Sequence, residues 1–360
     1  MPIRWLWTMA IGAAACLGAC DKVLSSDLTG AQAPATAAHW VSLSDGRRLN
    51  LQCSGRGAPT VLFEAGYGAT AAAWTSVRLR LARTTRLCAY DRAGSGLSDP
   101  GPLPRDGEAI ARDLDEALRA EGIGGPYIVV GHSAGGLYGR VFAARRAGEV
   151  DGLILLDPTV EHRAEPSADG LDGQRQRARR CQAVAEAVAP QGDPRWKGCI
   201  PDNLTAQAFQ FARQPGAWLD QLSELDNLFG RTSEEVARAR PAIAAIPAYV
   251  ITASDTAAAS YQPDMPRSMW ELQHQMLAGS FRTGWQQTVL SSHLIIIDRP
   301  EVVAAAVEQM VAASREKRLP EPLPPSEDWG PQRDDPFAPP DAGDAGLTSS
   351  QLFRLGREQD

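Results

Sequence analysis

The residue best placed for chemistry is a serine inside a glycine-rich turn. Ser133 stands in Gly131-His132-Ser133-Ala134-Gly135, directly after the apolar run 127–130 and before an alanine-rich stretch. A G-x-S-x-G motif between a buried strand and a helix forms a sharp turn that presents the serine hydroxyl above the sheet. The hydroxyl then also lies at the positive end of the helix dipole. The pattern predicts that Ser133 is a nucleophile.

The base that such a serine needs is usually a histidine held by a carboxylate. The chain has five histidines. His293 follows the last strand-like run, where the histidine is expected when the order along the chain is serine, acid, histidine. The other four lie beside the first strand, beside Ser133 or in and near presumed helices: His39, His132, His162 and His274. We therefore predict that His293 is the base.

The acid is open between two aspartates. The order serine, acid, histidine favours a carboxylate after the seventh strand, and that residue is Asp255. Asp157 ends the preceding strand, although an aspartate before a proline often only caps a turn. We favour Asp255 and keep Asp157 as the alternative, because a catalytic acid is defined by its geometry rather than by its place in the sequence.

The scaffold for these residues is predicted to alternate strands with helices. Short apolar runs alternate with helical patterns, which indicates a mainly parallel sheet with helices on both faces. Ile110, Leu114 and Leu118 form one apolar stripe of such a helix. Residues 159–245 break the alternation and predict a helical insertion. Eight runs are typical of strands: 40–43, 48–53, 60–64, 85–90, 127–132, 153–157, 248–252 and 286–290.

Four motifs in a fixed order give the chain a family resemblance. Two are the G-x-S-x-G turn and the Ser291-Ser292-His293 segment after the last strand. The other two follow the third and fourth strands, and they read EAGYG (64–68) and DRAGSGLS (91–98). Over about residues 40–315 the chain resembles the α/β-hydrolase family. It departs from the family at Ala65, which replaces a histidine, and at Ala93, which replaces the first glycine of the second segment or its neighbour.

This resemblance implies an eight-stranded, mainly parallel sheet within a domain at 39–318, with a helical cap at about 159–245. It assigns the oxyanion donors to the backbone N–H groups of Tyr67 and Ala134, and it needs no cofactor and no metal. The activity it implies is cleavage of a small-molecule carboxylic ester through an acyl-enzyme. A serine nucleophile argues against the dehalogenase and epoxide-hydrolase chemistry of this fold, which uses an aspartate.

Two other functions stay open. An exported aminopeptidase of the same fold would hold the ammonium group of its substrate with a carboxylate of the cap. Four residues are candidates for that role: Glu161, Glu165, Glu186 and Glu224. A catalytically inactive binding module is the other alternative, because a fold does not by itself imply a function.

Four cysteines of the body predict two disulfides. An even number in an exported chain favours disulfides over metal ligands, and the chain has no C-x-x-C spacing. Four cysteines allow three pairings, and sequence alone does not choose among them. In the sheet order that the resemblance implies, the second and fourth strands are neighbours, which favours Cys53–Cys88. The partner pair, Cys181–Cys199, then lies within the insertion.

The ends of the chain predict export and anchoring. Residues 1–19 resemble a signal peptide, and Leu17-Gly18-Ala19-Cys20 resembles the lipobox of bacterial lipoproteins, in which the cysteine carries lipid. We expect a lipid anchor on Cys20 in the bacterial cell envelope, facing the periplasm; Asp21 resembles the residue that keeps some lipoproteins at the inner membrane. Residues 20–38 predict a flexible tether, and the proline-rich acidic stretch 319–360 predicts a disordered tail.

Composition sets the remaining bounds. With 360 residues, the chain is long enough to bury a sizeable core. Its net charge is −7 and it has no basic block, so nucleic acid is not an expected partner. Nothing in the sequence indicates an oligomeric state.

Overall fold

An eight-stranded sheet forms the centre of the molecule, in the order β1-β2-β4-β3-β5-β6-β7-β8. The computed structural model describes residues 38–161, 168–255 and 267–324. β2 pairs antiparallel with β1 and β4, and the other neighbouring strands are parallel, which confirms the predicted mainly parallel sheet. The strands are β1 (Trp40–Ser42), β2 (Arg48–Ser54), β3 (Thr60–Glu64), β4 (Arg86–Tyr90), β5 (Tyr127–His132), β6 (Val150–Leu156), β7 (Ala248–Asp255) and β8 (Gly284–Ser292).

The central strands send alternate side chains into two apolar cores, one on each face of the sheet. Leu62 of β3 joins the core that contains α2 and α3, whereas Val61 and Phe63 join the core that contains α1 and α10. Burial on both faces explains why β3 and β5 are continuous apolar runs. The helices are α1 (Thr75–Arg80), α2 (Gly107–Ala120), α3 (Gly135–Arg145), α4 (Ala168–Glu186), α5 (Ala206–Ala212), α6 (Pro215–Asn227), α7 (Arg231–Ile243), α8 (Arg267–Gly279), α9 (Ile295–Asp298) and α10 (Pro300–Glu316).

Helices α4 to α7 lie between β6 and β7, and we call them the cap. A disulfide joins Cys181 of α4 to Cys199 in the loop before α5. It lies in a small apolar core of its own, which includes the rings of Trp196, Phe209 and Trp218. The second disulfide, Cys53–Cys88, joins paired positions of β2 and β4. These are the two pairings that the resemblance favoured.

The chain stays in contact with the sheet and α10 beyond the end of that helix. The backbone carbonyl of Glu321 accepts hydrogen bonds from the Tyr249 hydroxyl and the Gln309 side chain, and Leu323 packs against an apolar core. Residues 320–324 therefore pack on the body, although the sequence predicted a disordered tail from 319. The predicted signal peptide, Cys20, Asp21, the tether up to residue 37 and the tail beyond 324 lie outside the described residues. Within the described ranges, no helix has the length and apolarity needed to cross a membrane.

Candidate active site

Ser133 lies at the carboxyl end of β5, in the turn that leads into α3. Its φ of 52° is in the left-handed region, which non-glycine residues rarely adopt. The turn is fixed by the end of β6 and by the segment that follows it: the N–H of Ser133 donates to the carbonyl of Leu156 at 3.0 Å, and the Ser133 carbonyl accepts from the N–H of Thr159 at 3.0 Å. Strained backbone of this kind persists only where its surroundings hold it, and it is concentrated at functional sites.

The loop that follows β3, residues 64–68, packs directly against this turn, and we call it the β3 loop. Glycines make the approach possible. A Cβ atom on Gly135 would overlap the carbonyl of Glu64, and a Cβ atom on Gly66 would lie 3.3 Å from Cβ of Ser133. Tyr67 belongs to the β3 loop and Ala134 directly follows Ser133. The two predicted oxyanion donors thus lie on the two segments that meet at the serine.

His293 follows β8, and its ring contacts the carboxylate of Asp157. The distance from Nδ1 of His293 to Oδ2 of Asp157 is 2.6 Å, and the aspartate is fully buried. The His293 ring also packs on His132, the neighbour of Ser133, with 4.8 Å between the ring centroids. Because a carboxylate accepts hydrogen bonds, Nδ1 donates, and in the neutral ring Nε2 then carries the lone pair that a base needs.

The second oxygen of Asp157 is held from two other sides. Its Oδ1 accepts from the indole N–H of Trp270 at 2.8 Å and from the backbone N–H of Ala253 at 3.1 Å. Asp157 has a φ of 40°, so its backbone, like that of Ser133, lies in the left-handed region. Trp270 was missed by sequence reasoning, because it lies 113 residues from Asp157 and no motif marks it.

Asp255, the acid that the sequence favoured, lies at the exposed end of β7. Its Cα pairs with Ser292 of β8, after a shift of register between Ala253 and Asp255. The strand therefore continues through residues 253–255, where the sequence predicted a loop that would carry the acid. This corrects the preference: the carboxylate in contact with His293 is that of Asp157, the stated alternative.

His132 also belongs to the site, although sequence reasoning set it aside. Its Nε2 donates to the backbone carbonyl of His293 at 2.8 Å. Burial, together with the neighbouring His293 ring, lowers the pKa of His132 to about 3, so the ring is neutral at ordinary pH. His132 thus ties the loop of His293 to the end of β5 without adding a charge. Its place next to the serine was the only signal in the sequence.

The other histidines have different surroundings. His274 is fully buried on α8, where its Nε2 donates to the carbonyl of Pro158 and its Nδ1 accepts from the Thr252 hydroxyl, both at 2.9 Å. It therefore braces the turn that contains Asp157. His39 pairs with Glu121 at the surface, and His162 lies outside the described residues.

Three of the four carboxylates considered for an ammonium site have partners. Glu161 accepts from Arg140 at 2.6 Å, and Glu224 accepts from Arg92 at 2.8 Å. Glu186 accepts from a glutamine of its own helix at the surface, and Glu165 lies outside the described residues. In the part of the chain that the structure describes, no group of three or more His, Cys, Asp or Glu side chains is arranged to hold a metal ion.

Known proteins are similar to this chain in sequence over part of its length and in fold over most of it. A vacuolar membrane protein of Saccharomyces cerevisiae is 34% identical over 139 residues, which are 34% of this chain and 22% of the yeast protein. This chain thus spans only about a fifth of the yeast protein's length.

Two solved structures illustrate the likeness of fold. The haloalkane dehalogenase DatA from Agrobacterium tumefaciens C58 has 17% identity and a TM-score of 0.56, over 76% of this chain and 96% of the dehalogenase. An esterase from Thermogutta terrifontis has 20% identity and a TM-score of 0.54, over 76% of this chain and 98% of the esterase. At such identities the likeness shows the fold alone.

The family itself is shown by the sequence match. Residues 61–306, more than half of the chain, match the model of the alpha/beta hydrolase family. The match runs from β3 to α10 and includes the serine turn, Asp157 and His293. The chain therefore belongs to the alpha/beta hydrolase family.

Proposed function

We propose that the protein is a serine hydrolase that cleaves a small-molecule carboxylic ester through an acyl-enzyme. Ser133 is the nucleophile, His293 the general base and Asp157 the acid, and Tyr67 and Ala134 supply the oxyanion N–H donors. The observation that carries the proposal is the 2.6 Å hydrogen bond from His293 Nδ1 to the buried carboxylate of Asp157. It orients a histidine that packs beside the serine turn.

In the first half-reaction, Nε2 of His293 removes the proton from Oγ of Ser133 as Oγ attacks the ester carbonyl carbon. The carbonyl oxygen becomes an oxyanion, which the two backbone N–H groups stabilise. Asp157 stabilises the imidazolium that forms. The imidazolium then gives its proton to the leaving alcohol oxygen as the carbon–oxygen bond breaks, and the acyl group remains on Ser133.

In the second half-reaction, water replaces the alcohol. His293 removes a proton from the water as its oxygen attacks the acyl carbon. The same N–H groups stabilise the second oxyanion, and His293 returns the proton to Ser133 Oγ as the acid is released. No other reactant is needed.

A fluorophosphonate probe tests the proposal, because it reacts with activated serines without needing the natural substrate. The wild-type protein should be labelled at Ser133, and peptide mapping identifies the residue. Ser133→Ala should fold, lose labelling and lose hydrolysis of nitrophenyl esters. Ser280→Ala, a change at the end of α8, is the matched control and should keep both. Labelling of Ser133→Ala, or none of the wild type, would overturn the proposal.

Substrate panels separate this function from its alternatives. Nitrophenyl esters from acetate to laurate should be hydrolysed, with the best chain length set by the cap. Aminoacyl anilides should react far more slowly, because Glu161 and Glu224 are already paired with arginines. Faster cleavage of the anilides would favour the aminopeptidase, and binding of esters without turnover would favour a binding module.

Membrane attachment through a lipid on Cys20 is a separate part of the proposal. It is supported by the Leu17-Gly18-Ala19-Cys20 segment at the end of the apolar leader. In a bacterial host, the wild-type protein should be found in the membrane fraction with a lipid on Cys20. Cys20→Ser should remain unprocessed or leave that fraction. A wild-type protein with an unmodified, uncleaved N-terminus would contradict this part alone.

A further inference from the structure

Arg92 is buried behind the β3 loop, and all five of its N–H groups have acceptors. Its side chain is 2% exposed. Nη1 donates to the carbonyl of Ala65 at 2.6 Å and to Glu64 at 3.0 Å. Nη2 donates to the carbonyl of Gly66 at 2.8 Å and to Glu224 at 2.8 Å, and Nε donates to Glu224 at 3.2 Å. A guanidinium has five N–H groups, so none remains for another role.

Two of these acceptors are backbone carbonyls of the β3 loop, which fixes two successive peptide planes. The carbonyl of Ala65 shares a peptide group with the N–H of Gly66, and the carbonyl of Gly66 shares one with the N–H of Tyr67. In a trans peptide the N–H points opposite to the C=O. Arg92 therefore directs both N–H groups away from itself. A cation on the carbonyl also polarises the peptide and strengthens the N–H as a donor.

The orientation of these groups bears on the reaction because the β3 loop packs on the nucleophile. A Cβ atom on Gly66 would lie 3.3 Å from Cβ of Ser133. The N–H of Tyr67 is one of the two oxyanion donors of the proposed function. Arg92 holds the opposite end of that peptide group, at the carbonyl of Gly66.

The cap holds Arg92 in turn. Glu224 lies on α6, 132 residues from Arg92 in sequence, and its two oxygens accept from Nε and Nη2 in a bidentate pair. Both side chains are almost fully buried. The Tyr138 ring lies 5.1 Å from the guanidinium carbon and covers another side. Arg92 thus contacts both Glu224 of the cap and the carbonyls of the β3 loop, and it connects the two.

We propose that Arg92 and Glu224 are positioning residues for the oxyanion hole, and that the docked cap completes the hole through them. This deepens the proposed function and rests on it. With the cap undocked, Arg92 would lose its bidentate partner, and the peptide planes of Gly66 and Tyr67 would be less constrained. The rate of acyl transfer, and not only the binding of substrate, then depends on whether the cap is docked on the body.

Conservative variants of the pair test this role. Glu224→Gln keeps the shape and removes the charge, and Arg92→Lys keeps the charge and removes the bidentate geometry. The matched controls are Glu161→Gln and Arg140→Lys. They change a second buried pair, between α3 and the segment that follows β6, which reaches the carbonyls of Gly136 and Thr159 instead of the β3 loop.

The readout is the second-order rate constant for labelling of Ser133 by a fluorophosphonate, whose phosphoryl oxygen occupies the oxyanion position. We expect a fall of about tenfold for Glu224→Gln and about 10²-fold for Arg92→Lys, since loss of one donor costs about 10²–10³. The inhibition constant of a trifluoromethyl ketone, which forms an oxyanion on the serine, should rise in parallel. The control variants should stay within about threefold, although their thermal midpoints fall.

Three results would overturn the inference. The first is labelling of Glu224→Gln and Arg92→Lys at the wild-type rate. The second is an equal loss in the control pair, which would show a merely structural role. The third is a fall in the labelling rate of the two variants with no rise in the inhibition constant of the trifluoromethyl ketone. Failure of the wild type to label at Ser133 would instead overturn the proposed function, so the two failures are distinguishable.

Discussion

Replacement of Asp157 by asparagine should remove most of the catalytic activity by forcing the wrong tautomer on His293. Oδ1 of Asp157 accepts from two donors, the N–H groups of Trp270 and Ala253. An asparagine there must place its carbonyl oxygen at the same position, because the opposite orientation would leave two buried donors without acceptors at a cost of about 1–3 kcal/mol each. Its NH₂ group then faces Nδ1 of His293.

The consequence for the base follows from hydrogen-bond polarity. An NH₂ group only donates, so Nδ1 must accept, and the ring proton moves to Nε2. Nε2 can then no longer take the proton from Ser133. The same substitution in a serine protease triad lowers kcat by about 10⁴. We expect a similar loss here, equal to about 5 kcal/mol of transition-state stabilisation.

The assay is kcat for a nitrophenyl ester, with the folded state checked by circular dichroism. Asp255→Asn, at the exposed end of β7, is the matched control and should keep kcat within about threefold. The double variant Asp157→Asn with Trp270→Phe supplies an internal test. With the Trp270 donor removed, the amide turns more easily, so the double variant should be more active than Asp157→Asn alone.

Two outcomes would refute this reasoning. If Asp255→Asn lost the activity and Asp157→Asn kept it, the contact at His293 would not be the catalytic one. If Trp270→Phe lowered the residual activity of Asp157→Asn instead of raising it, the loss would not come from the orientation of the amide.

Three further predictions concern stability. Glu235→Gln should stabilise the protein near pH 8 by on the order of 1 kcal/mol and have little effect near pH 4. Burial raises the pKa of Glu235 from 4.5 to about 7, so wild-type stability is lost as pH rises through that range; thermal unfolding across pH checks this. Replacing Cys181 and Cys199 by alanine should lower the free energy of unfolding in denaturant by about 3 kcal/mol, since the bridge spans 18 residues. Ser133→Gly should be more stable than Ser133→Ala by about 0.5–1 kcal/mol, because glycine adopts a φ of 52° without strain; equal denaturation midpoints would contradict this.

The sheet was predictable because its central strands, such as β3 and β5, are buried on both faces. Each of the eight strands overlaps a run identified from the sequence, and β3 and β5 have the predicted bounds. Errors occur at the strand ends: β6 starts at Val150 instead of residue 153, and β7 runs on to Asp255. Strand ends depend on pairing with a neighbour, which hydrophobic pattern does not record.

The site was predictable only where a local sequence motif determines the backbone geometry. The Ser133 turn is a local structure, so its sequence is enough. The acid depends on a left-handed φ at Asp157 and on a shift of register in β7, and neither is visible in residue spacing. The pair between Arg92 and Glu224 joins residues 132 positions apart, and only the folded chain brings them together.

The two strained turns of the site depend on the sheet rather than on the cap. The N–H of Ser133 donates to the carbonyl of Leu156 at the end of β6, and the N–H of Asp157 donates to the carbonyl of Ile251 in β7 at 2.7 Å. Each turn is therefore held by the next strand of the sheet. Because these bonds lie in the body, the geometry of the serine and the acid should tolerate changes in the cap. The β3 loop differs from these turns, because Arg92, which holds its carbonyls, is itself held by Glu224 of the cap. A cap that differs in sequence but keeps this glutamate should alter substrate choice with little loss of turnover, whereas loss of the glutamate should lower turnover for every ester.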